Sequence, residues 1–142
     1  MKIYVINGPN LNMLGIREPD IYGKENYAGL VNAVTEHCDK MGVECVVFQS
    51  NHEGEIVEKI QEAYFKGADG IVINPAAYTH TSIAILDAVK AVKIPTVEVH
   101  LSRVEEREAY RQVSYVREAV IATVTGRGIQ GYLDAIDILI GK

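Results

Sequence analysis

The chain opens with the apolar run IYVI (3–6), which is typical of a buried strand and is followed by NGPNLNMLGIREPDIY (7–22). A helical pattern does not begin until about residue 26. Connections between a strand and a helix usually take about two to six residues, and much longer ones tend to be functional. Because this loop combines asparagines, an arginine and a tyrosine with glycines and prolines, we expect it to fold over a ligand.

Apolar runs and helical periodicity alternate along the rest of the chain. The apolar runs predict strands at 2–7, 43–49, 70–74, 95–100 and 119–124. Helical spacing predicts helices at 26–41, 53–66, 80–91 and 128–140, with Gly42 and Gly67 at helix C-caps. The apolar stripe of the second helix comprises Ile56, Val57, Ile60, Ala63 and Tyr64. The highly charged residues 102–118 predict a short helix or an extended loop over the sheet edge.

This alternation predicts the fold class. Strands that alternate with helices run parallel and are joined by right-handed crossovers. For five strands we predict a flavodoxin-like, doubly wound α/β sheet of order 2-1-3-4-5 with helices on both faces. The 142 residues fit one domain, residues 1–142, without a linker or internal repeat.

Composition excludes several classes of function. A formal net charge of −5 argues against a protein that binds nucleic acid, since such proteins show a basic face. No window approaches the roughly 18 apolar residues of a membrane span, and the first residues do not resemble a signal peptide. We therefore expect a cytoplasmic protein. Cys38 and Cys45 are predicted to be small buried hydrophobes rather than a disulfide or a zinc site.

The topology predicts where a ligand would bind. Ligands of doubly wound sheets lie beyond the carboxyl ends of the strands, where the strand order reverses. Three polar clusters follow strands 1, 3 and 4, which lie together in the order 2-1-3-4-5. We therefore expect six of their residues to be neighbours: Asn10, Arg17, Tyr22, Asn74, His80 and His100.

Two pairs of residues carry possible acid/base chemistry. A free tyrosine has a pKa of about 10, and a nearby guanidinium lowers it by favouring the phenolate. Tyr22 and Arg17 are thus either a proton-abstracting pair or ordinary surface residues. His100 is either a proton donor or a structural histidine. Glu98 shares its face of the strand and either orients His100 or Arg17 or is a solvated residue at the strand end.

The other polar residues also allow two interpretations. His80 either binds a substrate hydroxyl or lies at a helix start, where Thr79, Thr81 and Ser82 could cap the helix. Asp87, two helical turns after His80, either faces the site or is a solvated charge. Arg111, with Arg107, either grips a carboxylate or pairs with neighbouring glutamates.

The absence of several sequence motifs excludes further types of catalytic mechanism. The sequence has no Walker A motif and no G-x-S-x-G elbow. Its four histidines show no metal-ligand spacing, so no metal site is predicted. No lysine ends an apolar strand, which leaves a Schiff-base mechanism without a nucleophile. Cofactor-free acid/base chemistry is what remains.

Several long motifs, in order along the whole chain, resemble the type II 3-dehydroquinate dehydratase family. The matching stretches are INGPNLNMLGIREPDIYG (6–23), QSNHEGE (49–55), INPAAYTHTS (73–82), VEVHLS (97–102) and GIQGY (128–132). Arg107, Tyr110–Arg111 and Ser114–Tyr115 also fit. The resemblance implies a shikimate-pathway enzyme that converts 3-dehydroquinate into 3-dehydroshikimate without a cofactor.

The resemblance also implies residue roles. Tyr22 would be the base and Arg17 would stabilise its phenolate. Asn10 would hold a water that stabilises the enolate, His100 would be the general acid, and Glu98 would support the site. The implied substrate-binding residues are Asn74, His80, Leu101, Ser102 and Arg111, together with Asp87, which would reach a neighbouring subunit of a dodecamer built from trimers.

The chain departs from the family pattern at a few places. Asn26 stands where Thr is usual, Arg103 where Asn is usual, and Val113 where His is common. Residues 116–119, VREA, are also more charged than the family suggests. Two alternatives to a dehydratase are a flavodoxin-like small-molecule binding module without turnover and a flavin- or nucleotide-binding protein. Tyr22→Phe would leave the binding module unchanged, and a colourless sample would count against a flavoprotein.

Overall fold

The computed structural model describes residues 1–16 and 25–141. Its strands are β1 (Lys2–Asn7), β2 (Glu44–Gln49), β3 (Gly70–Asn74), β4 (Thr96–His100) and β5 (Ala122–Thr125). Its α-helices are α1 (Tyr27–Met41), α2 (Glu53–Phe65), α3 (Ile83–Val92) and α4 (Gln130–Ile140). The 3₁₀ helices span Leu11–Met13, Ala76–His80, Val104–Glu106, Ala109–Arg111 and Val116–Ala119.

The five strands form one parallel sheet of order β2-β1-β3-β4-β5, which confirms the predicted flavodoxin-like fold. Asn7 lies opposite Gln49 on one side and Asn74 on the other. Glu98 lies opposite Ile73 and Thr123. The carboxyl ends of β1, β3 and β4 therefore meet at one edge of the sheet.

Each face of the sheet carries its own apolar core. On one face, Leu30, Val34 and Cys38 of α1 pack with Tyr132 and Ile136 of α4 against β1, β3 and β4. On the other face, α2 and α3 contribute the buried residues Ile56, Ile60, Ile85 and Val89. Burial of these apolar stripes holds the helices on the sheet. None of the helices within the described residues has the length and apolar composition needed to cross a membrane.

Helix ends follow the local chemistry that the sequence predicts. Gly42 adopts φ 69° at the C-cap of α1, and Gly67 adopts φ 72° just beyond the last turn of α2. The Ser82 hydroxyl caps α3 by accepting a hydrogen bond from the Ile85 N–H at 3.0 Å. Cys38 is fully buried, Cys45 is partly buried, and both thiols are free.

Three details differ from the sequence-based prediction. The fifth strand begins at Ala122 rather than at residue 119, because the chain first completes the 3₁₀ helix Val116–Ala119. Helix α3 begins at Ile83, since residues Ala76–His80 form a separate 3₁₀ helix. Tyr64 is 57% exposed rather than part of the stripe. At eight residues from Ile56 it lies about 80° around the helix, where a large ring reaches solvent.

Candidate active site

A cleft opens at the edge of the sheet where β1, β3 and β4 end. It is bordered by the segment after β1, by the 3₁₀ helix Ala76–His80 and by the charged segment after β4. Eight residues that the sequence singled out line it: Asn10, Asn74, His80, His100, Leu101, Ser102, Arg107 and Arg111. The structure thus brings together four of the six expected neighbours. The other two, Arg17 and Tyr22, lie outside the described residues.

The segments after β1 and β3 cross closely at the floor of this cleft. The Gly8 N–H donates a hydrogen bond to the Asn74 carbonyl oxygen at 2.8 Å. A Cβ atom on Gly8 would approach the Pro75 carbonyl oxygen to 2.3 Å, so a larger residue would push the two segments apart. Asn10 follows in a left-handed conformation, φ 70°, and its backbone N–H donates to Asn51 Oδ1 at 2.9 Å.

A buried hydrogen-bond chain fixes the orientation of Asn74. Asn74 Nδ2 donates to the Tyr132 hydroxyl at 2.9 Å, and that hydroxyl donates to Asn7 Oδ1 at 2.6 Å. Asn74 Oδ1 accepts from the Ala76 N–H at 3.0 Å. Burial raises the pKa of Tyr132, so its hydroxyl stays protonated and can donate. The side-chain amide of Asn74 is therefore set in one orientation at the cleft wall.

His100 and Glu98 form a buried pair at the end of β4. His100 Nε2 lies 2.5 Å from Glu98 Oε2, and the two residues share one face of the strand. Glu98 is fully buried, and His100 is 5% exposed. Because Nε2 faces Glu98, Nδ1 is the nitrogen that can exchange a proton with a ligand in the cleft.

Further donors surround the Glu98 carboxylate. Ser114 Oγ donates to Oε2 at 2.9 Å, and Thr123 Oγ1 donates to Oε1 at 3.3 Å. Arg117 donates to both oxygens at 3.2 Å. Burial alone would raise the pKa of Glu98, but the hydrogen bonds from His100 and Arg117 outweigh it and lower this pKa to about 2. Glu98 is therefore a carboxylate at neutral pH.

His80 is set up as a neutral hydrogen-bonding residue. Its Nδ1 lies 2.7 Å from the Val113 carbonyl oxygen. Because a carbonyl oxygen can only accept a hydrogen bond, Nδ1 must carry the proton and donate it. Burial lowers the pKa of His80, and the nearby positive charges of His100 and Arg111 act in the same direction. With the proton on Nδ1, Nε2 is the acceptor that a ligand hydroxyl could use.

Arg111 both pairs with a neighbouring glutamate and lines the cleft, so the two interpretations of this residue from the sequence are compatible. Its Nε donates to Glu108 Oε1 at 3.2 Å and to Oε2 at 3.3 Å, and its guanidinium stacks on the Tyr110 ring. It also lines the cleft. Arg107 lines the same cleft, with its Nε 3.6 Å from Glu108 Oε1. Two guanidinium groups thus give one wall of the cleft the charge that an anionic ligand would need.

Two residues named from the sequence do not line the cleft. Glu98 lies behind His100 and contacts that residue rather than the cleft itself. Asp87 is exposed on α3 and is not among the residues that line the cleft of its own chain.

Sequence reasoning missed three residues that support the site: Tyr132, Ser114 and Arg117. Tyr132 gave a signal, since it lies four residues before Ile136 on the buried stripe of α4 and carries a hydroxyl that must find a partner there. Ser114 lies in a stretch that fits the family, but neither Ser114 nor Arg117 was given a role, because their segment has no helical or strand periodicity that predicts a direction.

Sequence reasoning also missed a glycine pattern of the dinucleotide-binding type. GRGIQG (126–131) fits G-x-G-x-x-G and lies between β5 and α4. In the structure the chain's own side chains occupy this loop. Arg103 packs against Gly126, while the Glu25 carboxylate lies against Gly128 and accepts from the Ile129 N–H at 3.3 Å. The place of a pyrophosphate at the helix N-terminus is thus filled by Glu25, which argues against the nucleotide-binding alternative.

The described residues contain no group of three or more His, Cys, Asp or Glu side chains that could hold a metal ion. What they do present is a buried acid/base pair, a neutral histidine, one oriented amide and two guanidinium groups around one cleft. Such a set can bind a small hydroxylated anion and donate a proton to it.

Comparisons with known proteins match this chain over its whole length. The family model Dehydroquinase class II matches residues 1–140. A 3-dehydroquinate dehydratase from Lachnoclostridium phytofermentans is 54% identical over 140 residues, covering 99% of this chain and 97% of that protein. One from Clostridium perfringens is 53% identical over 139 residues, covering 98% of this chain and 95% of that protein.

Solved structures show the same likeness. The type II dehydroquinase from Butyrivibrio crossotus is 56% identical, with a TM-score of 0.97 and coverage of 99% of this chain and 97% of that one. The type II dehydroquinase from Propionibacterium acnes is 38% identical, with a TM-score of 0.94 and the same coverage. This chain belongs to the class II dehydroquinase family.

Proposed function

We propose that this chain dehydrates 3-dehydroquinate to 3-dehydroshikimate, a step of the shikimate pathway, by cofactor-free acid/base elimination through an enolate. The observation that carries the reaction is membership of the class II dehydroquinase family over residues 1–140. The cleft supports it, because His100 backed by the carboxylate of Glu98 is a proton donor of the kind that a hydroxide leaving group requires.

The first half of the reaction removes a proton. Tyr22 as phenolate takes the proton from the carbon next to the substrate ketone, and Arg17 stabilises the phenolate. The electron pair of the broken C–H bond moves onto the ketone oxygen and forms an enolate. Asn10 holds the water that donates a hydrogen bond to that oxygen. Its place beside Asn51 at the cleft supports this role.

The second half of the reaction expels water. The enolate electrons return to form the conjugated double bond as the carbon–oxygen bond of the leaving hydroxyl breaks. His100 supplies the proton from Nδ1, so the hydroxyl leaves as water. Glu98 stabilises the protonated imidazole from the other side. The 2.5 Å contact between His100 Nε2 and Glu98 supports this division of the two ring nitrogens.

The remaining residues bind the substrate. Arg111 and the backbone N–H groups of Leu101 and Ser102 bind the substrate carboxylate, supported by their common wall of the cleft. Asn74 and the neutral ring of His80 bind its hydroxyl groups, supported by the hydrogen bonds that orient both side chains. Residues 1–142 act as one domain in the cytoplasm, in a dodecamer built from trimers in which Asp87 reaches the site of a neighbouring subunit.

An absorbance assay tests this function. Purified protein is mixed with 3-dehydroquinate without added metal or cofactor, and the near-ultraviolet absorbance of the conjugated product is followed. The assay is repeated after treatment with borohydride in the presence of substrate, which traps an imine. We expect an absorbance rise that survives borohydride.

Two variants separate the enzyme from a binding module. Tyr22→Phe and Arg17→Ala should abolish most turnover while leaving the circular dichroism spectrum unchanged. Near-normal kcat in either variant would rule out the phenolate mechanism. No absorbance rise from folded wild-type protein, together with saturable binding of 3-dehydroquinate, would instead support the flavodoxin-like binding module without turnover.

A further inference from the structure

Arg117 belongs to the charged segment 116–119, at which the chain departs from the family pattern. It lies on the 3₁₀ helix Val116–Ala119 and approaches Glu98 side-on. Its Nε donates to Glu98 Oε1 at 3.2 Å, and its Nη2 donates to Oε2 at the same distance. Two parallel hydrogen bonds from one guanidinium fix the plane of a carboxylate as well as its charge.

The two partners differ sharply in their exposure to solvent. The Glu98 side chain is fully buried, whereas the Arg117 side chain is 49% exposed. Arg117 therefore supplies a permanent positive charge to a buried carboxylate while remaining partly hydrated itself. Burying a lone carboxylate costs desolvation free energy, which a paired guanidinium offsets. A partly exposed guanidinium loses less hydration than a fully buried cation would.

The charged and titratable groups around Glu98 come from several elements. His100 lies beside it on β4, Arg117 comes from the 3₁₀ helix, and His80 lies near enough on another segment for its charge to interact with both His100 and Glu98. Among the described residues, Ser114 and Thr123 are the uncharged donors to Glu98. Of the groups named here, Arg117 is charged at every physiological pH.

This arrangement changes what Glu98 does to His100. An ionised Glu98 whose only cation was protonated His100 would hold the imidazolium proton tightly and weaken it as an acid. With Arg117 in place, the carboxylate is already balanced by a charge that cannot leave. His100 then keeps its orientation from the hydrogen bond while its proton stays transferable through Nδ1.

We propose that Arg117 is a positioning residue that holds the Glu98 carboxylate in one plane and offsets its charge so that His100 can release its proton to the ligand. This inference rests on the proposed function, in which His100 is the general acid. Arg117 itself does not line the main cleft and is not expected to touch substrate.

Two measurements on Arg117→Gln test the proposal. The first is the titration of the His100 imidazole, followed by NMR on histidine-labelled protein without substrate. With the Arg117 charge removed, the Glu98 carboxylate should hold the imidazolium proton more tightly, so this titration should move to higher pH than in wild type. The second is the pH profile of kcat. Turnover should fall about tenfold at neutral pH, its high-pH limb should move upward, and KM should change little.

Arg127→Gln is the matched control. Arg127 is also an exposed arginine paired with a carboxylate, since its Nε lies 2.5 Å from Asp134 Oδ2, but that pair lies on α4 and its preceding loop. This variant should keep the wild-type titration of His100 and the wild-type pH profile. A merely structural role for Arg117 would lower the melting temperature of Arg117→Gln without moving the His100 titration.

The outcomes can be separated from one another. A folded Arg117→Gln protein whose His100 titration matches wild type would overturn the proposal. Because this titration is measured without substrate, its result is informative even if the dehydratase function is disproved.

If Arg117→Gln does not fold, Arg117→Lys serves instead, because it keeps the charge but loses the two parallel hydrogen bonds. Its kcat should fall severalfold at unchanged KM, and a wild-type kcat would overturn the positioning role.

Discussion

At the scale of single residues, the three single-residue departures from the expected family pattern each have a local partner. Asn26 caps α1, since its side chain accepts from the Gly29 N–H at 2.8 Å. The Arg103 stem packs against Gly126. Val113 contributes only its backbone, whose carbonyl oxygen faces His80. An Asn caps a helix as well as a Thr, and a backbone contact does not depend on the side chain. None of the three substitutions removes a polar group from the cleft.

His100→Ala tests the proton donor. Without the imidazole, the leaving hydroxyl must depart without a positioned acid, so kcat should fall by about 10²-fold or more. His52→Ala is the control, because His52 is exposed and its side chain makes no capping bond to α2. Steady-state kinetics with 3-dehydroquinate check both variants. An unchanged kcat in His100→Ala would remove it from the role of acid.

The ionised state of Glu98 predicts how stability depends on pH. The pKa of Glu98 is about 2 in the folded protein against an ordinary 4.5. A lowered carboxyl pKa stabilises the fold above pH 4.5, and this stabilisation is lost as pH falls from there through about 2. It amounts to about 3 kcal/mol, because one pKa unit corresponds to about 1.4 kcal/mol.

Denaturant unfolding of Glu98→Gln checks this prediction. The variant cannot titrate at this position, so the wild-type advantage measured near pH 6 should shrink steadily as the pH is lowered from about 4.5 toward about 2. A difference between the two proteins that stays constant over this range would show that Glu98 is not held ionised by its neighbours.

At the scale of elements, periodicity predicted the helices and strands to within about three residues. The late start of β5 has the same cause as the unrecognised roles of Ser114 and Arg117. The chain from Leu101 to Ile121 is organised by 3₁₀ turns and side-chain contacts to β4 rather than by an apolar repeat. A pattern of spacing cannot show that Arg117 returns to Glu98, because 19 residues separate them along the chain. Tyr132 was missed although its buried hydroxyl requires a partner, because helical spacing alone does not show that the partners are Asn7 and Asn74.

The crossing of the segments after β1 and β3 gives a prediction at this scale. Gly8→Ala would bring a Cβ against the Pro75 carbonyl oxygen and force apart the segments that carry Asn10 and Asn74. Such overpacking should destabilise the protein by about 1–3 kcal/mol and raise KM. Thermal melting and steady-state kinetics measure the two effects.

Gly54→Ala is the matched control for this substitution. Gly54 lies in the first turn of α2, and a Cβ there would meet nothing within 4 Å. Alanine should be neutral or stabilise the helix by up to about 1 kcal/mol. If Gly8→Ala melts and binds substrate like Gly54→Ala, the close crossing is not a determinant of the site.

At the scale of the whole molecule, the topology explains why a cleft could be predicted from sequence. The order β2-β1-β3-β4-β5 places the carboxyl ends of β1, β3 and β4 side by side, so polar segments far apart in sequence must converge there. What sequence could not supply is the support behind the cleft. The Asn7–Tyr132–Asn74 chain joins β1, α4 and β3, and the Glu98 shell joins β4, β5 and the charged segment. Such contacts follow from packing rather than from any local pattern.

Asp87 gives the prediction that depends on the assembly. It is exposed on α3 and does not line the cleft of its own chain, so a role in substrate binding requires a neighbouring subunit. Asp87→Ala and His100→Ala should each be nearly inactive alone.

If Asp87 serves a neighbour, subunits of the two variants that are unfolded and refolded together form some sites with both native residues. In a random equal mixture about a quarter of the sites are intact, because each native residue is present with even odds. Activity of the co-refolded mixture should therefore return to about a quarter of the wild-type value, while separately refolded samples mixed afterwards stay inactive. No recovery after co-refolding would place the function of Asp87 within its own chain, because no single chain in the mixture carries both residues.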